Sequence, residues 1–286
     1  MRSRYDTTQL EAEFNNRARV PDHPRVLANW DEASALTRSR HCAALLDLPY
    51  GPGAGETLDV FPSDAPGAPV LIFIHGGYWR ALDKSNHSFV APAFNASGAT
   101  VVVPNYALCP AVTVEHIALQ MAAVVDWVWR HAAEWGANPD CIALAGHSAG
   151  GHLAAMLLSC RWKEVSEDLP AQPLAGALAI SGLYDLEPLR HTPSLQAALK
   201  LTPASVARLS PAFFPRPKGA KLYAVVGMDE SEEFVRQNSL IRDVWGPTAV
   251  PVCEMVPRAN HFTVLNSLVD PAGRLHDLAL RLLGLR

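Results

Sequence analysis

An alternation sets the narrowest limit on the architectures open to this chain. Short apolar runs, each closed by glycine, proline or a polar turn, are separated by longer segments of helical period. The runs that read as strands are residues 57–61, 70–74, 100–103, 141–145, 175–180, 221–226 and 252–256. Between them, "VEHIALQMAAVVDWVWRHAAEWG" sets Ile117, Met121, Val124 and Val128 at helical intervals and stops at Gly136. The Ala/Leu-rich stretch after Ser148, "SEEFVRQNSLIRDVW" and "PAGRLHDLALRLLGL" read as helices too. Strand alternating with helix predicts an α/β fold: a mostly parallel sheet, right-handed crossovers and helices on both faces. In such sheets ligands sit outside the carboxyl ends of the strands.

The first 50 residues do not follow this pattern. They are polar and mixed, with prolines at 21 and 24, a helix-like stretch over 29–46 and nothing that alternates as a strand does. We read residues 1–50 as an N-terminal cap segment and residues 51–286 as one structural unit. With 49% hydrophobic and 18% charged residues, the chain has ample material for a core.

A net charge of −4 without a dense Lys/Arg block excludes the electrostatic footprint of a nucleic-acid binder. The start "MRSRYDTTQLEAEFNNR" has no apolar stretch of the signal-peptide kind, and no later run approaches the ~18 apolar residues of a spanning helix. A cytoplasmic protein with no membrane partner is expected. The five cysteines are odd in number and scattered, so buried free thiols are expected. Eleven histidines include no H-E-x-x-H, and the closest pair, His147 and His152, is five apart rather than four, so no metal site is expected.

The carboxyl-end rule directs attention to the residues just past each strand. There stand His75-Gly76-Gly77, Gly146-His147-Ser148, Ser181-Gly182, Gly227-Met228-Asp229, and the loop with His261. "GHSAG", residues 146–150, is a G-x-S-x-G pattern between an apolar run and a helix-forming run. A serine there sits on a strained strand-to-helix turn, and its neighbours two residues away must be small because strand and helix nearly touch. Alone, five letters specify only a tight turn; the flanking strand and helix patterns raise their meaning.

A serine hydroxyl needs a base within reach, itself oriented by a carboxylate. Later strand ends supply both: Asp229 follows "KLYAVV" and His261 lies in "RANHFTV". Asp229 is favoured for its place at the strand end. Glu230 and Asp185 stay open as the acid, and acids in "DESEEF" also suit a helix's first turn. In such sites two backbone amides meet the developing oxyanion: that of the residue after the nucleophile, here Ala149, and one from the loop after an early strand. Gly76 and Gly77 fit the second role. Tyr78 and Trp79 behind them are expected to wall the substrate pocket, with burial in the core as the alternative.

The set "HGGYW", "GHSAG", "MDESEEF" and "NHF" resembles the α/β-hydrolase superfamily near the hormone-sensitive-lipase-like esterases, most closely its kynurenine formamidase (arylformamidase) branch. "EFNNRARVPD", "NWDEASALTR" and "DLPYGPGAGETLDVF" are similar to that branch's opening segment, so the likeness runs over nearly the full chain. "GHSAG" marks the superfamily; "HGGYW", with Tyr78 where many lipases have a third glycine, marks the branch. The resemblance implies Ser148, Asp229 and His261 as nucleophile, acid and base, with Gly76, Gly77 and Ala149 donating to the oxyanion. It implies a small-molecule N-formyl arylamine as substrate, N-formyl-L-kynurenine, cleaved through a formyl-serine without metal or organic cofactor. A homodimer is left open. Two rivals stand beside it: a general carboxylesterase on short acyl esters, and a hydrolase-fold protein that binds without catalysis.

Overall fold

The structure, a computed structural model, describes residues 6–286. One sheet of eight strands organises it: β1 Leu45–Pro49, β2 Thr57–Phe61, β3 Ala68–Ile74, β4 Thr100–Pro104, β5 Ala137–His147, β6 Leu174–Ile180, β7 Lys221–Gly227 and β8 Val252–Val256. Their order across the sheet is β1-β2-β4-β3-β5-β6-β7-β8. β2 runs antiparallel to both of its neighbours, and from β4 to β8 every pairing is parallel.

The period of two along each strand divides the interior. Val70, Ile72 and Ile74 of β3 join Leu144 of β5 and Ala224 of β7 in one core, against the helices Val114–His131 and Ala149–Leu158. Leu71, Phe73, Ala145 and Val225 face the opposite way, toward the helix Arg274–Leu282 and toward Trp30. All seven residues of β3 are buried, as a strand covered on both faces requires. Ile117, Met121, Val124 and Val128 are buried, and Gly136, at φ 70°, ends that segment in the left-handed conformation.

The N-terminal segment differs from its sequence reading in two respects. The sheet begins inside it: β1, "LLDLP", pairs antiparallel with β2, so a boundary at residue 50 falls between two bonded strands. β1 is an edge strand whose membership comes from backbone pairing. Leu45 and Leu46 are exposed, and a register shift at Asp47 (φ 56°) destroys the alternation a sequence reader looks for. The long helix also starts earlier, at His23–Arg40, with Pro24 in its first turn, where a missing N–H costs nothing. No helix among the described residues is long and apolar enough to cross a membrane. All five cysteines are free, but only Cys109 is fully buried, and Cys42 is exposed.

Candidate active site

The register of three central strands assembles the site. Ile74 of β3 lies beside Gly146 of β5, and His147 beside Ile180 of β6, so the chain leaves all three strands at one edge. Ser148 follows β5 with φ 57° and ψ −116°, a conformation that costs a non-glycine residue of order 1–3 kcal/mol and persists only where surroundings impose it. Its amide donates to Ile180 O at 2.8 Å. A Cβ on Gly146 would stand 2.2 Å from Gly150 O, and one on Gly150 would stand 2.0 Å from Ile74 O. Strand, helix and neighbouring strand thus touch through bare backbone.

The "HGG" loop approaches just as closely. A Cβ on Gly76 would lie 2.9 Å from His147 O and 3.1 Å from Ser148 Cβ; Gly77, at φ 102°, leaves no room either, with Ala81 O at 2.1 Å. The Tyr106 hydroxyl lies against the carbonyls of His75 and Gly76, at 2.9 and 3.0 Å, and the His75 ring stacks on Tyr106 at 4.2 Å. Burial lowers the His75 pKa, so the imidazole is neutral; its Nδ1 lies 2.8 Å from Gly76 O, pinning the loop from within. Among the described residues, the amides of Gly77 and Ala149 have no protein acceptor. Ala149 opens its helix, where amides are unpaired and the helix dipole is positive.

His261 is held from three sides. Its Nδ1 lies 2.6 Å from Glu230 Oε2, its carbonyl accepts from His147 Nε2 at 2.7 Å, and its ring packs on Phe234 at 4.6 Å between centroids. Burial lowers the His147 pKa well below the usual histidine range, so it is a neutral N–H donor. Glu230 Oε1 accepts from Ser181 Oγ at 2.5 Å and from the Gly227 amide at 2.7 Å. That carboxylate is fully buried and has one oxygen on the imidazole and the other on two donors.

Here the expected acid is corrected. Asp229 is exposed; its amide bonds Ala259 O at 3.0 Å, which turns its side chain toward solvent, and Glu230 one residue later folds back beneath the ring. Gly227 allows this, since a Cβ there would stand 2.3 Å from Ala259 O. Asp185 is elsewhere, 3.5 Å from Arg236. Sequence reading had Glu230 among its alternatives but held no signal to rank it, because the choice depends on the turn after β7.

Ser148 and His261 line one cavity of about 250 Å³ with Gly77 and Tyr78. Trp79 does not line it and is corrected from pocket wall to core: it is fully buried, edge-on to His152 at 4.9 Å, and its carbonyl accepts the Cys109 amide. Successive positive φ values at Tyr78 (49°) and Trp79 (54°) send the two rings apart. Tyr78 donates to Phe14 O at 2.8 Å, and Asn16 Nδ2 lies 3.4 Å from its hydroxyl, which ties the N-terminal segment to the loop. Burial and the Glu230 charge raise the Tyr78 pKa, so this phenol stays protonated. The remaining apolar wall, including Phe14, Leu27, Trp30 and Phe262, comes partly from N-terminal helices that carry no catalytic residue. Among the described residues, no cluster of three His, Cys, Asp or Glu side chains could hold a metal ion.

A hydroxyl on a strained elbow, an imidazole with its outer nitrogen on a buried carboxylate, and unpaired amides beside them can perform nucleophilic acyl transfer. Residues 71–234 match the family model of the alpha/beta hydrolase fold, and the chain belongs to that family. Within it, the chain belongs with the kynurenine formamidases: it is 32% identical to the kynurenine formamidase of Danio rerio over 249 residues, covering 84% of this chain and 82% of that one. A crystal structure of a candidate thioesterase from Silicibacter sp. TM1040 superposes with a TM-score of 0.82 at 30% identity, over 93% of this chain and 97% of the other. Esterase LipQ of Mycobacterium tuberculosis is 37% identical over a shorter stretch, 41% of this chain and 29% of that protein.

Proposed function

We propose that the protein hydrolyses the formamide of an N-formyl arylamine, N-formyl-L-kynurenine in the first instance, to the free amine and formate. Ser148 attacks the formyl carbon while His261 takes its proton. Glu230 holds the imidazole in the tautomer that presents Nε2 and stabilises the imidazolium that forms. The oxyanion is met by the amides of Ala149 and of Gly76 or Gly77; each such donor is worth about 3 kcal/mol to the transition state. His261 then protonates the departing aniline nitrogen, the C–N bond breaks, and a formyl-serine remains. Water, deprotonated by His261, attacks that ester and releases formate and Ser148.

The observation that carries this reading is the buried Glu230–His261 pair beside Ser148, in a chain that shares 84% of its length with a kynurenine formamidase. The cavity supports it: about 250 Å³ is just below the ~300–1,000 Å³ typical of ligand pockets and suits one substituted ring. A cytoplasmic location accompanies the proposal, supported by five free cysteines of the kind reducing compartments preserve.

The test is formate release from N-formyl-L-kynurenine measured beside hydrolysis of p-nitrophenyl acetate. Efficient turnover of the formamide supports the proposal. Turnover of the ester alone sinks it in favour of a general carboxylesterase, the reading that the esterase relative favours. No turnover of either, with no labelling of Ser148 by an organophosphate, favours a binding protein.

A further inference from the structure

The cavity that holds Ser148 carries a charge pattern unlike the rest of the chain. Two of its lining residues are arginines, Arg17 and Arg80, and none is an aspartate or glutamate, whereas the whole protein has a net charge of −4. Neither arginine forms an ion pair among the described residues. Glu11, a nearby acid in the sequence, is turned to the Ser194 amide at 2.6 Å.

Both residues are exposed at the cavity, and the backbone at each is fixed. Arg17 lies on the one-turn helix Asn16–Arg19, whose first residue is buried with its side-chain amide on Tyr78 and whose N-cap, Asn15, accepts from the Ala18 amide at 3.1 Å. Arg80 donates from Nη1 to Ser194 O at 2.6 Å and from its own amide to Gly77 O at 3.0 Å. A guanidinium has five N–H groups, so one bond to a carbonyl fixes its position and leaves the others for a ligand. The same lining includes the apolar rings of Phe14, Trp30 and Phe262.

We propose that Arg17 and Arg80 form a carboxylate subsite on the leaving-group side of the cavity, so that the preferred substrates are aryl acyl compounds whose departing ring carries an anionic arm. This rests on the hydrolase reading of Ser148 and refines its substrate class. Arg17 comes from the N-terminal segment, which gives that segment a role in specificity. Asn86, near in sequence to Arg80, has no part: its amide bonds Asp31 at 2.6 Å and it does not line the cavity.

The test uses a matched pair of esters, the O-acetyl derivatives of 3-(4-hydroxyphenyl)propionate and of the corresponding neutral propionamide, whose phenols leave equally well. The wild type is expected to favour the anionic ester in kcat/KM. Arg17→Ala and Arg80→Gln should each reduce that preference about 10- to 100-fold, the scale of a hydrogen bond to a charged group, mainly through KM. Arg17→Lys should restore part of it, since the charge returns without the fork; a purely structural arginine would show no such substrate-dependent rescue. A wild type indifferent to the charge, or a preference that survives in either variant, overturns the subsite. Because the pair contains only esters, failure of the formamide assay leaves this result standing, and the two proposals fail separately.

Discussion

Glu230 and Asp229 differ by one position in the sequence and by their whole environment in the fold. Glu230 is fully buried on the His261 ring, and Asp229 faces solvent. Glu230→Gln should therefore reduce kcat about 10⁴-fold, the cost of holding the imidazole in the wrong tautomer, while Asp229→Asn stays within a few-fold of the wild type. Parallel kinetics on the two variants check this; the reverse order would restore Asp229 as the acid. Ser148→Ala should cost a similar factor or more in kcat, with the fold intact by circular dichroism. Trp79→Ala belongs to stability: removing a fully buried indole should cost about 3–5 kcal/mol, read from urea unfolding. These residues illustrate the limit of reading by position. Ser148 and His261 are legible as strand-end residues, but whether Tyr78 or Trp79 faces the cavity depends on two consecutive left-handed residues that no local pattern announces.

At the scale of elements, the junction of β3, β5 and the Ala149–Leu158 helix decides the geometry. It closes only because Gly146 and Gly150 have no side chains. Gly150→Ala puts a methyl 2.0 Å from Ile74 O, a backbone atom that cannot swing aside, so the helix must lift from the sheet. A loss of at least about 1–3 kcal/mol is expected, together with most of the activity, because the Ala149 amide moves with the helix. Paired thermal melts and kinetics measure both; a variant of unchanged stability and activity would show that the contact is not tight. Some strands were legible in the sequence to the residue, Thr57–Phe61 and Val252–Val256 among them, whereas β5, read as 141–145, extends over Ala137–His147. β1 was not, because an exposed edge strand is held by backbone bonds and leaves little trace in side-chain pattern.

Across the whole molecule, the buried imidazoles are a shared liability in acid. Burial lowers the pKa of His87 to about 3 and of His152 to about 4, and His75 and His147 shift the same way. Unfolded, each titrates near 6.5, so below that pH the unfolded chain binds more protons than the native one and stability falls as pH falls. Each contributes a slope of up to about 1.4 kcal/mol per pH unit, from about 6.5 down to its folded value. Urea unfolding at pH 7.5, 6.5, 5.5 and 4.5 should show little change over the first step and steep losses over the next two. A flat profile to pH 4.5 would mean that these rings are not held neutral in the native state.

The order of residues alone was enough to set the α/β alternation, the rim on which the chemistry gathers, the serine elbow and the glycines around it. Each comes from local rules: hydrophobic period, turn residues and the absence of Cβ at a crossing. Packing in three dimensions was needed to select which acid meets the imidazole and which aromatic ring meets the cavity, and to bring residues before position 41 into its wall. Those outcomes depend on how segments far apart in the chain are stacked, such as Phe14 edge-on to Phe234 across more than two hundred residues. A packing of that kind is set by the sum of many weak contacts and leaves no signature in any one stretch of chain.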